Sequence, residues 1–216
     1  MATTTIGLGQ GVTTYEYREE ILDYSSTTNG TGSWTHPVPG TGIYVNVTAI
    51  GGGAGAGGSE DSGTTTSSAT SGSNGTPTIF SSIISPGGIG GGGGGHGAHS
   101  SVAAQGSKGL AGNINGVDGV RGKPSDSLSL PTKLNVLASF GDGGYPNRTS
   151  GNSNSGGTGG TGGVVFDNLT VSGSLTYYIG KAGAGGVNGS NDSQNSIPTS
   201  GSNGALLLKY SIPHTN

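Results

Sequence analysis

The chain has 216 residues, of which 49 are glycine and 9 are proline; only 9% are charged, for a net charge of −3. The absence of cysteine removes disulfide frameworks, thiolate metal sites and cysteine nucleophiles together. Eight Lys and Arg, scattered singly from Arg18 to Lys209, make no basic face for nucleic acid, and no apolar run is long enough for membrane insertion.

The start, MATTTIGLGQG, has neither a charged n-region nor an apolar h-region, so a chain made in the cytoplasm without a secretory signal is expected. Residues 1–31 stand apart in composition. TTYEYREEILDYSS alternates Tyr15 and Tyr17 with Glu16 and Arg18, which suits a short strand, while REEILDY also reads as a helical turn. This segment is read as an attachment or oligomerisation element, and 32–216 as the main domain.

From there, strand-like runs rich in β-branched and aromatic residues recur at 33–39, 43–50, 78–85, 133–140, 164–171, 175–180 and 205–212. The turn signal SGS at 172–174 predicts that 164–171 and 175–180 form a hairpin. Almost no helical periodicity appears, so the fold class expected is an all-β, jelly-roll-like sandwich.

Between the runs lie glycine-rich insertions at 51–77, 86–132, 141–163 and 181–204. Connections of such length need structure of their own in a compact domain. GSKGLAG and GVDGVRGKP place glycine at every third position, and GGTGGTGG repeats a three-residue unit. Three is the period of polyproline II, which has no internal hydrogen bonds. Such segments gain stability only when packed side by side, each N–H meeting a neighbour's carbonyl, with no Cβ to hold the backbones apart. The tract Gly87, Gly88, Gly90, Gly91, Gly92, Gly93, Gly94 and Gly95, broken by Ile89, is expected to be such a polyglycine rod, with Ile89 on the core or on a partner chain. A flexible linker is the competing reading.

Chemistry-bearing motifs are sparse. GVDGVRGKP lacks the Ser or Thr of a phosphate loop, and no Gly-x-Ser-x-Gly elbow occurs. Carboxylates are few and no spacing favours an acid–base pair, so no enzyme and no cofactor are expected. His96 and His99 stand three apart after the glycine run. Without further ligands beside them they read as solvent-facing or packing residues, and an ion on an oligomer axis is the alternative. The candidate contact surface lies in two polar insertions: SEDSGTTTSSATSGSNG, with Glu60 and Asp61, and DGGYPNRTSGNSNSG, with Tyr145, Asn147 and Arg148. Tyr with Asn, Ser and Gly is the chemistry of adaptable recognition loops.

Three stretches carry a resemblance. SWTHPVPGTGIYVNVTAIGGGAGAGG pairs an aromatic and a short VP-G turn with a strand and a glycine burst. LTVSGSLTYYIGKAGAGGVNG runs two strand-like stretches into a second burst, and GSNGALLLKYSI closes the pattern. Together, over residues 32–212, they resemble the glycine-rich domains of bacteriophage tail fibre and related virion surface proteins, the polyglycine-helix adhesin type. The resemblance implies a receptor-binding or fibre-associated virion protein, a homotrimer, whose exposed loops meet a host cell-surface receptor and whose other partners are phage virion and tail proteins. A structural decoration or baseplate protein without a host ligand is the competing class.

Overall fold

The computed structural model describes residues 3–7, 12–38, 42–61, 69–91, 116–119, 132–145, 153–154, 157–189 and 197–215. Eleven strands are formed among them: β1 (Thr3–Gly7), β2 (Val12–Asp23), β3 (Thr31–Thr35), β4 (Ile43–Ile50), β5 (Glu60–Asp61), β6 (Thr78–Phe80), β7 (Ile83–Ser85), β8 (Ser153–Asn154), β9 (Val164–Val171), β10 (Ser174–Tyr178) and β11 (Ala205–Thr215). A five-stranded sheet runs β1-β2-β11-β4-β9, a four-stranded sheet runs β3-β10-β6-β7, and every pairing is antiparallel.

The two sheets form a sandwich because their facing strands turn apolar side chains toward one another. In β4, Val45, Val47 and Ala49 turn inward while Tyr44 and Asn46 face out. Leu206, Leu208 and Tyr210 of β11 lie beside them, and the opposite layer brings Trp34, Phe80, Ile83 and Tyr177. Trp34 meets Phe80 and Tyr210 edge-on, with ring centroids 6.1 and 5.4 Å apart. Residues 1–31 supply β1 and β2, and β2 pairs with β11 from Thr13 to Asp23.

The sandwich corrects three sequence expectations. Strands 164–171 and 174–178 are no hairpin: β9 pairs with β4 and β10 with β3 and β6, so Ser172–Gly173 carries the chain from one sheet to the other. The SGS signal marks a turn, but each flanking strand pairs better elsewhere, and Gly173 accepts the His36 N–H at 3.3 Å. Residues 133–140 are not a strand. Asn135 (φ 57°) and Ala138 (φ 45°) turn the chain left-handed, which breaks any extended ladder. The Asp142 carboxylate holds this turn, taking the Leu134 N–H at 2.9 Å and Lys133 Nζ at 2.7 Å. Leu134 then packs with Ile50 and Val164 at the base of the sandwich. The expected strand 78–85 divides into β6 and β7 around Ser81 (φ 55°).

At the end of β2, Asp23 caps a 3-10 turn, Tyr24–Ser26, by accepting the N–H groups of Ser25 and Ser26 at 3.0 and 3.1 Å. Bonds from the Ser25 and Ser26 side chains and these backbone groups hold its carboxyl below the ordinary range. Asp23→Ala is expected to lower stability by about 1 kcal/mol. The folded pKa lies below the unfolded one, so this contribution is complete above about pH 4 and fades as pH falls through the folded value. Denaturant titrations of both proteins at pH 7 and pH 2.5 check it: the gap between them narrows in acid.

The remaining described segments pair without strands. The central one, 51–59, sends its N–H groups out in a cycle of three. Gly51, Ala54 and Gly57 donate to Gly163, Gly160 and Gly157; Gly52, Gly55 and Gly58 donate to Thr76, Ser73 and Thr70; Gly53 and Ala56 donate to Ser202 and Thr199. The falling partner numbers make all three neighbours antiparallel. Its carbonyls are met by rising numbers: Gly52 and Gly55 accept Gly88 and Gly91, and Gly53, Ala56 and Ser59 accept Gly183, Gly186 and Gly189. Ala54 accepts the Gly144 N–H at 2.7 Å. Segment 141–144 is antiparallel to 157–163, through Gly159 to Gly144 and Gly162 to Gly141, and therefore parallel to 51–59.

Among the described residues, six segments thus surround the central one, and each bonds to the next around it. Gly163 donates to Pro86, Gly75 to Gly88, Thr76 to Lys181, Gly201 to Gly183, Ser202 to Asp142 and Gly159 to Gly144. Ordering a residue costs about 1–2 kcal/mol, and one backbone bond returns about 0.5–1.5 kcal/mol net. With every N–H and C=O used there is one bond per residue, so the return approaches the cost without side-chain burial. The threonines of GGTGGTGG, Thr158 and Thr161, are fully buried on another face, where Thr158 meets Thr132 at 3.2 Å and Thr161 takes the Val117 N–H at 2.7 Å.

Candidate functional site

The directions of the glycine-rich segments fix which ends lie together. Ile50, Gly163, Gly180 and Gly204 join the segments to the sandwich. Ser59, Thr70, Gly157, Gly189 and Ile197 stand at the opposite end, because 57 pairs with 157, 58 with 70 and 59 with 189. The chain therefore leaves and re-enters the far end between 59 and 69, between 145 and 157, and between 189 and 197. The two polar insertions singled out in the sequence both emerge there.

They are also tied to one another. Glu60 pairs with Asn154 and Asp61 with Ser153, in a two-stranded sheet made of β5 and β8. Tyr145 is locked in the same region by Thr199, whose N–H donates to the Tyr145 carbonyl at 3.0 Å and whose Oγ1 accepts the Tyr145 N–H at 2.8 Å. The topology thus brings Glu60, Asp61 and Tyr145 to one end of the molecule, 85 residues apart in sequence at most. Val187 and Ile197, 68% and 75% exposed, add apolar surface there that the sequence reading missed. Nothing in their local pattern distinguishes them from core residues; only the segment directions place them. Asn147, Arg148, His96, His99 and Gly92–Gly95 lie outside the described residues.

Of the glycine tract, Gly88 and Gly91 donate to Gly52 and Gly55 at 2.9 and 3.0 Å, and Gly90 donates to Asn74 Oδ1 at 3.0 Å. Gly87 approaches the Gly75 carbonyl closely. Ile89 is half exposed, and its carbonyl accepts the Gly160 N–H at 3.1 Å.

A second polar cluster, unmarked in the sequence, closes one end of the sandwich core. Glu20 Oε2 accepts Trp34 Nε1–H at 2.9 Å, and Oε1 accepts the Tyr210 hydroxyl. Burial first, and then this bond to Glu20, raise the Tyr210 hydroxyl well above the ordinary phenol range. His36, 1% exposed, sets its ring 5.6 Å from Trp34 and 5.8 Å from Tyr210, and its Nδ1 accepts the Val38 N–H at 3.0 Å. Glu20 faces inward because it stands opposite Leu208 in the register, on the face of β11 that supplies the core. The cluster is a structural clasp that satisfies two aromatic donors with one carboxylate.

Among the described residues, no group of three or more His, Cys, Asp or Glu side chains is gathered to hold a metal ion. No helix among them is long and apolar enough to cross a membrane. No family model matches the chain, and no curated protein matches it.

Proposed function

We propose that this chain is a bacteriophage virion surface protein that binds a host cell-surface receptor from the far end of a polyglycine bundle. On this reading the sandwich is a jelly-roll-like base. The segments 51–59, 70–76, 86–91, 141–145, 157–163, 180–189 and 197–204 are polyproline-II rods, packed as polyglycine helices. A helix of three residues per turn aims successive N–H groups in three directions 120° apart. The observation that carries the proposal is the three-way cycle of donors along 51–59. Such packing makes a stiff base from bare backbone and leaves the connecting segments free to vary in sequence.

The likeness of motifs in 32–212 to phage glycine-rich domains supplies the biological class, with a virion location and a homotrimer as its consequences. The binding chemistry is that of Tyr145, Asn147, Arg148, Glu60 and Asp61, amphipathic and polar groups.

The test is binding of the purified, labelled protein to a panel of bacterial cells and to their lipopolysaccharide. Saturable binding to some of the cells is expected. The double variant Tyr145→Ala, Arg148→Ala should lose at least about tenfold in affinity, roughly the effect of one or two aromatic or arginine hot spots, with unchanged thermal stability. Absence of binding to any cell would favour a structural decoration protein instead. Binding indifferent to the double variant would move the receptor site off these loops.

A further inference from the structure

On the outer face of the five-stranded sheet, at the opposite end from the polar loops, lies a groove of about 520 Å³. It exists because the sheet changes width there. The pairing of β11 with β4 stops at Tyr210, whereas its pairing with β2 runs on to Thr215. Gly42 and Ile43 edge the resulting notch.

Three phenol rings stand around it. Tyr15 and Tyr17 are 42% and 46% exposed, and Tyr44 is 74% exposed. Tyr15 and Tyr17 share a face of β2 as residues i and i+2, about 7 Å apart along the strand; Tyr44 lies two strands away, about 10 Å across the sheet. Asn46, Tyr210, Ser211 and Pro213 complete the lining, and no charged side chain belongs to it. Ser211 is opposite Tyr17 and Pro213 opposite Tyr15 in the register.

We propose that this groove binds a neutral pyranose oligosaccharide. Three exposed tyrosines offer the apolar faces on which sugar C–H groups stack, and their hydroxyls, Asn46 and Ser211 offer hydrogen bonds. The volume suits two or three sugar rings and falls within the range of small-ligand sites. The charge pattern selects a neutral ligand. The nearest ions on this face, Glu19 and Lys209, neutralise one another at 3.4 Å.

The same ion pair argues against a second copy as occupant. Along β2 it sits between the tyrosine groove and Ile21, which is 48% exposed, so the exposed apolar surface is divided rather than continuous. This site is independent of the far-end loops and stands or falls without them.

The experiment uses the full chain with cellotriose, chitotriose and maltotriose as probes, followed by tyrosine ring signals in NMR. At least one trisaccharide is expected to shift the signals of Tyr15, Tyr17 and Tyr44 with a Kd on the order of 1 mM or tighter. Tyr44→Ala should weaken that binding about tenfold with an unchanged melting temperature, since the ring is largely exposed, and Tyr145→Ala should leave it intact. If none of the three probes moves these signals at about 10 mM, the proposal fails. It fails equally if the wild-type protein sediments as a dimer that Tyr44→Ala dissociates, because the occupant is then a second copy.

Discussion

Gly53→Ala is expected to lower stability by about 3 kcal/mol or more, enough to empty the folded state of a protein of ordinary stability. A Cβ on Gly53 would stand 1.8 Å from the Asp142 carbonyl oxygen and 2.5 Å from its carbon. Neither backbone can retreat freely. The Asp142 carbonyl accepts the Ser202 N–H at 2.8 Å, while Gly53 donates to Ser202 and accepts Gly183 at 2.8 and 2.9 Å. Any shift that clears the methyl stretches bonds to two neighbours at once. Gly55 is in the same position, with a Cβ 1.9 Å from the Ala184 oxygen.

The intervening Ala54 and Ala56 show that the segment does not reject methyl groups as such, since both are fully buried within it. What is rejected is a methyl aimed at a neighbour's carbonyl. Gly173→Ala is the control: nothing lies within 4 Å of its Cβ, and a change within about 0.5 kcal/mol is expected. Denaturant titration followed by the fluorescence of Trp34, the chain's single tryptophan, measures all three proteins. A Gly53→Ala midpoint equal to wild type would mean that the central segment is not packed as described.

The contrast between these alanines and glycines also shows how far the sequence could be read. Two strands declared themselves: 43–50 and 164–171 are β4 and β9 to the residue, the first by alternation between a buried and a wet face, the second by its β-branched and aromatic residues. Composition alone also misled. KLNVLASF has the composition of a strand, yet its Asn135 and Ala138 adopt left-handed backbone and its leucines fill a small cluster under Ile50 and Val164. Partner choice was invisible throughout. Nothing in VVFDNLTVSGSLTYY says that its halves pair in different sheets.

The glycine spacing carried no directions, and directions decide the site. Glu60 and Tyr145 looked like members of unrelated loops. They share an end because 51–59 and 141–145 run parallel and because β5 finds β8. The tyrosine groove was hidden for a similar reason: Tyr15 and Tyr17 alternate visibly, but Tyr44 belongs beside them only once β11 is inserted between β2 and β4.

Thr78→Val is expected to cost about 2–4 kcal/mol although it replaces one buried side chain by another of the same shape. Thr78 opens β6 and is fully buried. Its Oγ1 donates to the Ile50 carbonyl at 2.6 Å and accepts the Gly180 N–H at 2.9 Å. Ile50 is the last residue of β4 before the chain becomes the central segment, and Gly180 follows β10 where the chain becomes 180–189. One hydroxyl therefore ties together two exits from the sandwich.

Valine fills the space but leaves the buried Gly180 N–H without its acceptor and removes a donor from Ile50. Thr78→Ser keeps the hydroxyl and should recover most of the loss. Ser85 forms a related tie, donating to the Gly163 carbonyl at 2.7 Å, but Gly163 also accepts the Gly51 N–H, so Ser85→Ala should cost about 1 kcal/mol. If the junction couples the two halves, Thr78→Val speeds amide exchange in both β4 and Gly51–Gly58 while unfolding stays a single transition. Exchange that rises only in Gly51–Gly58, with the midpoint of Trp34 fluorescence unmoved, would show that the sandwich stands without its bundle. The far-end loops would then sit on a base free to move relative to the sheets.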